Sequence, residues 1–431
     1  MPPRLPALLA DPAPRPGRLW LTNARVLDGT GAPPSEHGAV LVENGRVVRV
    51  GSAGEDVPEG AESLDLGGRT LMPGLIDAHT HLYPHVPEPS HGAEPIWAGT
   101  GAHFLASDLR ETLRLGFTTL RDVGSYDDLV FEARQAVRYG AFRAPRILTC
   151  GRILSATSPG GRFFEGMYAE VDGSDAVRRG AREQLRRGAD YIKLMTTGAR
   201  SVELEDPDPA QMTRDEVAAA VDEAHRLGYR VAAHAEGLAG TELAIELGVD
   251  TVEHGMYLNQ RPDLLERMAA SGQVLVPTLS CFYAVAGLGD VVADEAATPG
   301  GEWSALLVDL ALHNLEQAGL TLRAARSAGV RIALGHDWSP IANASIELLR
   351  MIHHGLSANE AIVAATAGAA YALGLDEHVG TIEPGKLADL TVVDGDPLEE
   401  PELLRDRARI WLVLQLGEPV AGAALERALG E

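Results

Sequence analysis

The sequence predicts an α/β fold in which eight strand-helix units close into a barrel beside a small β-sandwich domain formed from both ends of the chain. Three observations carry that expectation. From Leu75 onward, short apolar runs alternate with helical stretches, and eight such runs can be counted. This alternation marks parallel strands joined by crossover helices. Histidine, lysine or aspartate stands at the end of several runs, which is where a (β/α)8 TIM-type barrel carries its active site. Strand-like texture without intervening helices occupies the region before residue 72 and returns after 385.

Taken in order, the small domain opens over 19–66. Leu19-Trp20-Leu21-Thr22 and Ala39-Val40-Leu41-Val42 read as strands, and Asn44-Gly45 ahead of Arg46-Val47-Val48 is a hairpin signal. The first barrel strand runs through Leu75-Ile76-Asp77-Ala78-His79-Thr80-His81. A polar loop with His85 and His91 follows over 83–99, then a helix over 103–115 and a second strand, Phe117-Thr118-Thr119-Leu120-Arg121-Asp122. Helix 129–139 leads to the third strand, Arg146-Ile147-Leu148-Thr149-Cys150, and a Gly-rich loop covers 155–164. Helix 176–187 leads to Tyr191-Ile192-Lys193-Leu194-Met195. Thr213-Arg214-Asp215-Glu216 is a capping box that starts a helix reaching 227, which feeds Val231-Ala232-Ala233-His234. Helix 240–247 feeds Thr251-Val252-Glu253-His254, and helix 262–270 feeds Val274-Leu275-Val276-Pro277-Thr278. An insertion of helical texture over 281–328 precedes the eighth strand, which ends at Asp337. A second capping box, Ser357-Ala358-Asn359-Glu360, starts a helix through 373. The expected division is a disordered leader at 1–17, the small domain at 18–72 and 374–431, and the barrel at 73–373.

Composition narrows the function. The chain has 61 acidic against 37 basic side chains, a net charge of −24, which repels phosphate backbones and anionic lipid. Nucleic-acid and membrane partners are disfavoured, and a small-molecule substrate is expected. Cys150 and Cys281 are the two cysteines, so there is no disulfide framework, and a reducing cytoplasmic location fits. No window approaches the roughly 18–20 apolar residues of a membrane span. A homo-oligomer is compatible with the sequence.

The chemistry gathers at the strand ends. Residues two apart on a strand face the same way, so His79 and His81 aim together. A lone His-x-His pair is commonplace. Here it is followed by Lys193, His234, His254 and Asp337, each closing an apolar run, and that repetition points to a metal site with imidazole and oxygen donors suited to Zn²⁺. His336 precedes Asp337, and alternation turns it away from the site.

The ligands, their order and the flanking domain resemble the amidohydrolase superfamily, in particular its imidazolonepropionase-related and prolidase-like branch. The segments that carry the resemblance are Pro73-Gly74-Leu75-Ile76-Asp77-Ala78-His79-Thr80-His81, Gly116-Phe117-Thr118-Thr119-Leu120-Arg121-Asp122, Val252-Glu253-His254-Gly255 and 380–390. The resemblance implies two divalent ions: His79, His81 and Asp337 on one, His234 and His254 on the other, and Lys193 between them. An ammonium cannot ligate a cation, so Lys193 would carry a CO2-derived carbamate spanning ions about 3.5–4 Å apart. The implied activity is hydrolysis of an amide bond in a dipeptide or N-acyl amino acid by a metal-bridging hydroxide, with Asp337 as proton acceptor and donor. Lactones, carbamates, cyclic amides and phosphotriesters are alternative substrates for such a centre, and a non-catalytic binding or scaffold barrel is the alternative of another class. Two departures stand out: His336 replaces the threonine common before the strand-eight aspartate, and Pro159-Gly160-Gly161-Arg162 replaces a Gly-Gly-His-Gly loop. Arg162, Tyr168, Arg200 and Tyr257 lie in loops after strands three, four and six, where a substrate carboxylate or aromatic group would be met.

Overall fold

The computed structural model describes residues 17–83, 98–290, 292, 304–338 and 341–429. All of the expected leader but Gly17, and the loop histidines His85 and His91, lie outside these residues. Each of the eight expected barrel strands is present, in parallel pairing. Leu75–Thr80, Phe117–Asp122 and Arg146–Thr149 form a three-stranded sheet in that order. Tyr191–Met195, Arg230–Ala235, Thr251–His254, Val274–Val276 and Arg331–Ile332 follow one another in a seven-stranded sheet, which two short strands, Ile153–Ser155 and Tyr168–Glu170, extend at one edge. These strands are buried on both faces, as parallel strands covered by helices must be.

The single continuous eight-stranded sheet expected from the sequence is therefore divided in two. One division falls where the third run breaks off at Thr149 and resumes at Ile153. The other falls where the eighth strand stops at Ile332, five residues before Asp337. Individual backbone bonds join the edges: Asp190 N donates to Thr149 O at 2.8 Å, Ala78 N to Leu334 O at 2.8 Å, and Asp337 N to His79 O at 2.8 Å. The last two fix Asp337 against His79. Gly335 lies between them because nothing larger fits: a Cβ there would stand 2.4 Å from Val276 Cγ1 and 2.5 Å from His79 Cβ.

Both capping boxes form. Thr213 caps Arg214–Arg226, and Ser357 caps Ala358–Val363. The second helix does not continue regularly to 373, since residues 364–368 widen into a π turn before Ala369–Leu373. That turn lets Ala364 O accept from Leu334 N at 2.9 Å. The insertion resolves into helices Leu279–Val285 and Ala305–Ser327. No described helix is long and apolar enough to cross a membrane.

The chain ends build one eight-stranded sheet, where two facing sheets of a sandwich were expected. Ser35–Glu43 and Arg46–Ser52 pair as the predicted hairpin, with Asn44 at φ 48° and Gly45 at φ 77°, the paired positive angles of its two-residue turn. Leu390–Val393 lies antiparallel to Thr70–Pro73, with Val392 opposite Leu71. Apolar side chains from both chain ends, among them Leu21, Val40, Leu71, Leu390 and Leu412, share one buried cluster. The strand that leads into His79 is thus held from behind by residues more than 300 positions away.

Candidate metal centre

His79, His81, Lys193, His234, His254 and Asp337 all line one cavity of about 350 Å³ at the C-terminal ends of the parallel strands. Each of the four histidines has a partner outside the cavity. His79 Nδ1 donates to Glu253 Oε2 at 2.6 Å, and His81 Nδ1 donates to Gly124 O at 2.6 Å. Both rings therefore turn Nε2 inward, each 3.3 Å from Asp337 Oδ1. On the facing strands, His234 Nδ1 and His254 Nε2 approach to 2.9 Å, while His234 Nε2 donates to Gly198 O at 3.1 Å and His254 Nδ1 lies 2.6 Å from Thr278 Oγ1. Outer partners of this kind set the tautomer and aim of metal-ligating histidines.

The backbone at the strand ends takes unusual angles to achieve this. His254, Thr278 and Asp337 adopt φ of 68°, 47° and 50°, the left-handed region that non-glycine residues seldom enter outside constrained sites.

Electrostatics follow from burial. The Lys193 ammonium is pulled down to about 8 by desolvation, against the opposing pull of Glu253, and Nζ finds no hydrogen-bond partner among the described residues. Burial, reinforced by Lys193, lowers His234 to about 3, and burial with His234 beside it holds His254 well below the usual histidine range. Burial alone would raise Asp337, but the histidines around it outweigh that and keep its carboxyl well below the ordinary value. The pocket thus offers neutral imidazoles, an ionised carboxylate and an unpartnered amine. These donors fit divalent cations: His79, His254 and Asp337 form one group able to hold an ion, and His234, Glu236 and His254 form another.

Glu236 and Glu253 were not expected. Glu253 is fully buried, accepts from Arg121 Nη2 at 2.8 Å, and is the outer partner of His79. The signal was a carboxylate directly before His254 in the run Thr251–His254. Glu236, two residues after His234, lines the cavity, and burial raises its carboxyl to about 7 although Arg200 pulls it down.

The expected substrate contacts separate. Tyr168 and Arg200 line the cavity. Arg162 is solvent-exposed on the short helix Pro159–Phe163 and does not. Tyr257 stands behind, with the Arg200 guanidinium 5.5 Å above its ring. His336 is buried away from the cavity, its N donating to Asp77 Oδ1 at 3.1 Å. Aromatic and aliphatic side chains such as Tyr126, Phe164, Met167, Phe282 and Leu310 make up much of the remaining wall.

Comparison with known proteins places this arrangement. Residues 70–420 match the amidohydrolase family. The ochratoxinase of Aspergillus niger is 29% identical over 422 residues, covering 91% of this chain and 84% of that protein. The imidazolonepropionase of Rhizorhabdus wittichii is 29% identical over 444 residues, covering 91% and 98%. The structure of a prolidase complexed with N-methylphosphonate-L-proline superposes with a TM-score of 0.81 at 30% identity, covering 94% of this chain and all of that one.

Proposed function

The chain belongs to the amidohydrolase family and is a hydrolase, and from that premise we propose that it cleaves the amide bond of a dipeptide or an N-acyl amino acid. The observation that supports this most is the convergence of four imidazoles, the Asp337 carboxylate and one desolvated lysine on a single cavity. In this reading His79, His81 and Asp337 would hold one Zn²⁺, and His234 and His254 would hold a second. Lys193, whose ammonium burial pulls down to about 8, would add CO2 through its free amine, release a proton and supply an anionic carbamate as a further oxygen donor. Bound there, the cations would acidify a water and polarise a carbonyl. Asp337 is the proton carrier, accepting a proton from the attacking water and delivering it to the leaving amine. Glu253 and Gly124 keep His79 and His81 aimed, and the apolar wall excludes bulk water. Tyr168 and Arg200 provide substrate contact on the cavity face, and Arg162 and Tyr257 are left with supporting places outside it. The eight parallel strands act as a (β/α)8 barrel over 73–373, with 18–72 and 374–431 as its accessory domain.

The test is amine release from a library of dipeptides and N-acyl amino acids, with Zn²⁺ and bicarbonate supplied. Cleavage by the wild type supports the reading. Silence across the library from protein shown to contain metal would remove it and direct the search to lactones, cyclic amides and phosphotriesters.

A further inference from the structure

Arg200 and Lys193 are the only lysine or arginine side chains on the cavity wall among the described residues, and Lys193 is committed to the centre. Arg200 sits on the segment that follows the Lys193 strand. Its Nη2 donates to Asp208 Oδ1 at 2.5 Å, yet its Nε is buried without a hydrogen-bond partner among the described residues, Glu236 Oε2 standing off at 3.7 Å. A buried guanidinium N–H left unmade is costly, and here it belongs to a residue that lines the cavity. Tyr257 lies beneath the guanidinium with φ at 67°, a strained backbone for a bulky residue.

The segment is pinned by carboxylates that the proposed chemistry does not use. Glu236 Oε2 accepts from Arg200 N at 2.9 Å. Glu205 Oε2 accepts from Ala199 N at 2.8 Å, while its Oε1 accepts from Ser158 Oγ and Gly160 N, both at 2.7 Å. One carboxylate therefore ties the residue before Arg200 to the start of helix Pro159–Phe163, whose last turn and next residue put Phe163 and Phe164 on the cavity wall.

Resting on the amide-hydrolase reading, we propose that Arg200 anchors a free carboxylate of the substrate and that Glu205 is its positioning residue. The substrate is then a monocarboxylate whose bulky apolar or aromatic group lies against Tyr126, Phe164 and Met167. A planar guanidinium meets a carboxylate with charge-assisted hydrogen bonds, and besides Lys193, Arg200 is the one lysine or arginine on the cavity wall among the described residues.

The experiment uses metal-loaded enzyme and two probes that lack the scissile carbonyl, N-benzenesulfonyl-phenylalanine and its carboxamide, with binding read by calorimetry. Wild type should prefer the acid by about tenfold or more. Arg200→Gln should erase that preference, and Arg200→Lys should keep part of it. Glu205→Gln should narrow the preference and, on N-benzoyl-phenylalanine, raise KM while kcat holds. A preference that survives Arg200→Gln would assign the carboxylate to the metal and overturn the anchor, as would wild type that binds acid and carboxamide alike or binds neither. Equal losses in kcat and an unchanged preference would remove Glu205 from its role. Wild type that prefers the acid yet cleaves no N-acyl amino acid would sink the N-acyl amino acid reading and leave the anchor standing.

Discussion

Asp337 touches both cavity-facing histidines of the first strand and is the one ionised carboxylate among the expected ligands, so it is asked both to bind a cation and to carry a proton. Asp337→Asn keeps the shape and removes the basicity; turnover should fall at least about a hundredfold with the melting temperature of the metal-free protein little changed, and near-normal activity would exclude Asp337 as the proton carrier. Glu253 acts one step further out. Glu253→Gln leaves the His79 ring less firmly aimed and Arg121 without its charged partner, and metal affinity should drop about 10–100-fold, measured by competition with a chromophoric chelator. The gathering of the six expected ligands on one cavity was readable because strand alternation and placement at the ends of apolar runs are local features. Glu253 was not, because its partners Arg121 and His79 come from strands over 100 residues away and only the fold brings them together. Arg162 misled for the reverse reason: a loop arginine near the right strand end has no local mark to distinguish a cavity-facing side chain from an exposed one.

Between the first and last of the eight parallel strands, the register of the site depends on two backbone bonds and one small residue. Gly335→Ala would drive a methyl into Val276 and into His79 Cβ, both of them backbone-anchored, so the change should lower stability and metal retention together, read by calorimetry and metal analysis on the same sample. Loss of stability with full metal content would mean that the strand adjusts without moving His79. Removing a cap makes a useful contrast: Thr213→Ala, 20 residues after Lys193 and on the outer layer, should cost about 1 kcal/mol in denaturant unfolding and leave metal content untouched. Both capping boxes were legible because the motif is four residues long. The interruption at 150–152, the early end of the eighth strand and the π turn at 364–368 were not, because each answers a demand made by a neighbouring element, as when Ala364 O turns to accept from Leu334 N.

At the scale of the whole molecule, buried acids away from the site set a pH dependence. Glu347 accepts from Leu279 N and Ser280 N, both at 2.8 Å, yet burial pushes its carboxyl up to about 7. A raised carboxyl costs nothing below the unfolded value of about 4.3, where it is neutral in both states. As pH rises from there to about 7, the unfolded chain ionises first and stability is lost. The difference in melting temperature between Glu347→Gln and wild type should therefore move in the variant's favour from pH 5 to pH 8; a difference that stays flat would show that Glu347 titrates as an ordinary acid. The alternation of strands and helices and the return of β texture near the C-terminal end made the general architecture legible, whereas the single sheet of the small domain depends on pairings between residues such as Leu71 and Val392 that no local pattern announces. Those pairings have a consequence for synthesis. All six proposed ligands have been translated by residue 337, but the strand that braces Thr70–Pro73 is made only at 390–393. A nascent chain stalled on the ribosome at about residue 385 would hold every ligand and lack the brace behind His79, so the order of translation itself would delay metal loading until the small sheet can be completed.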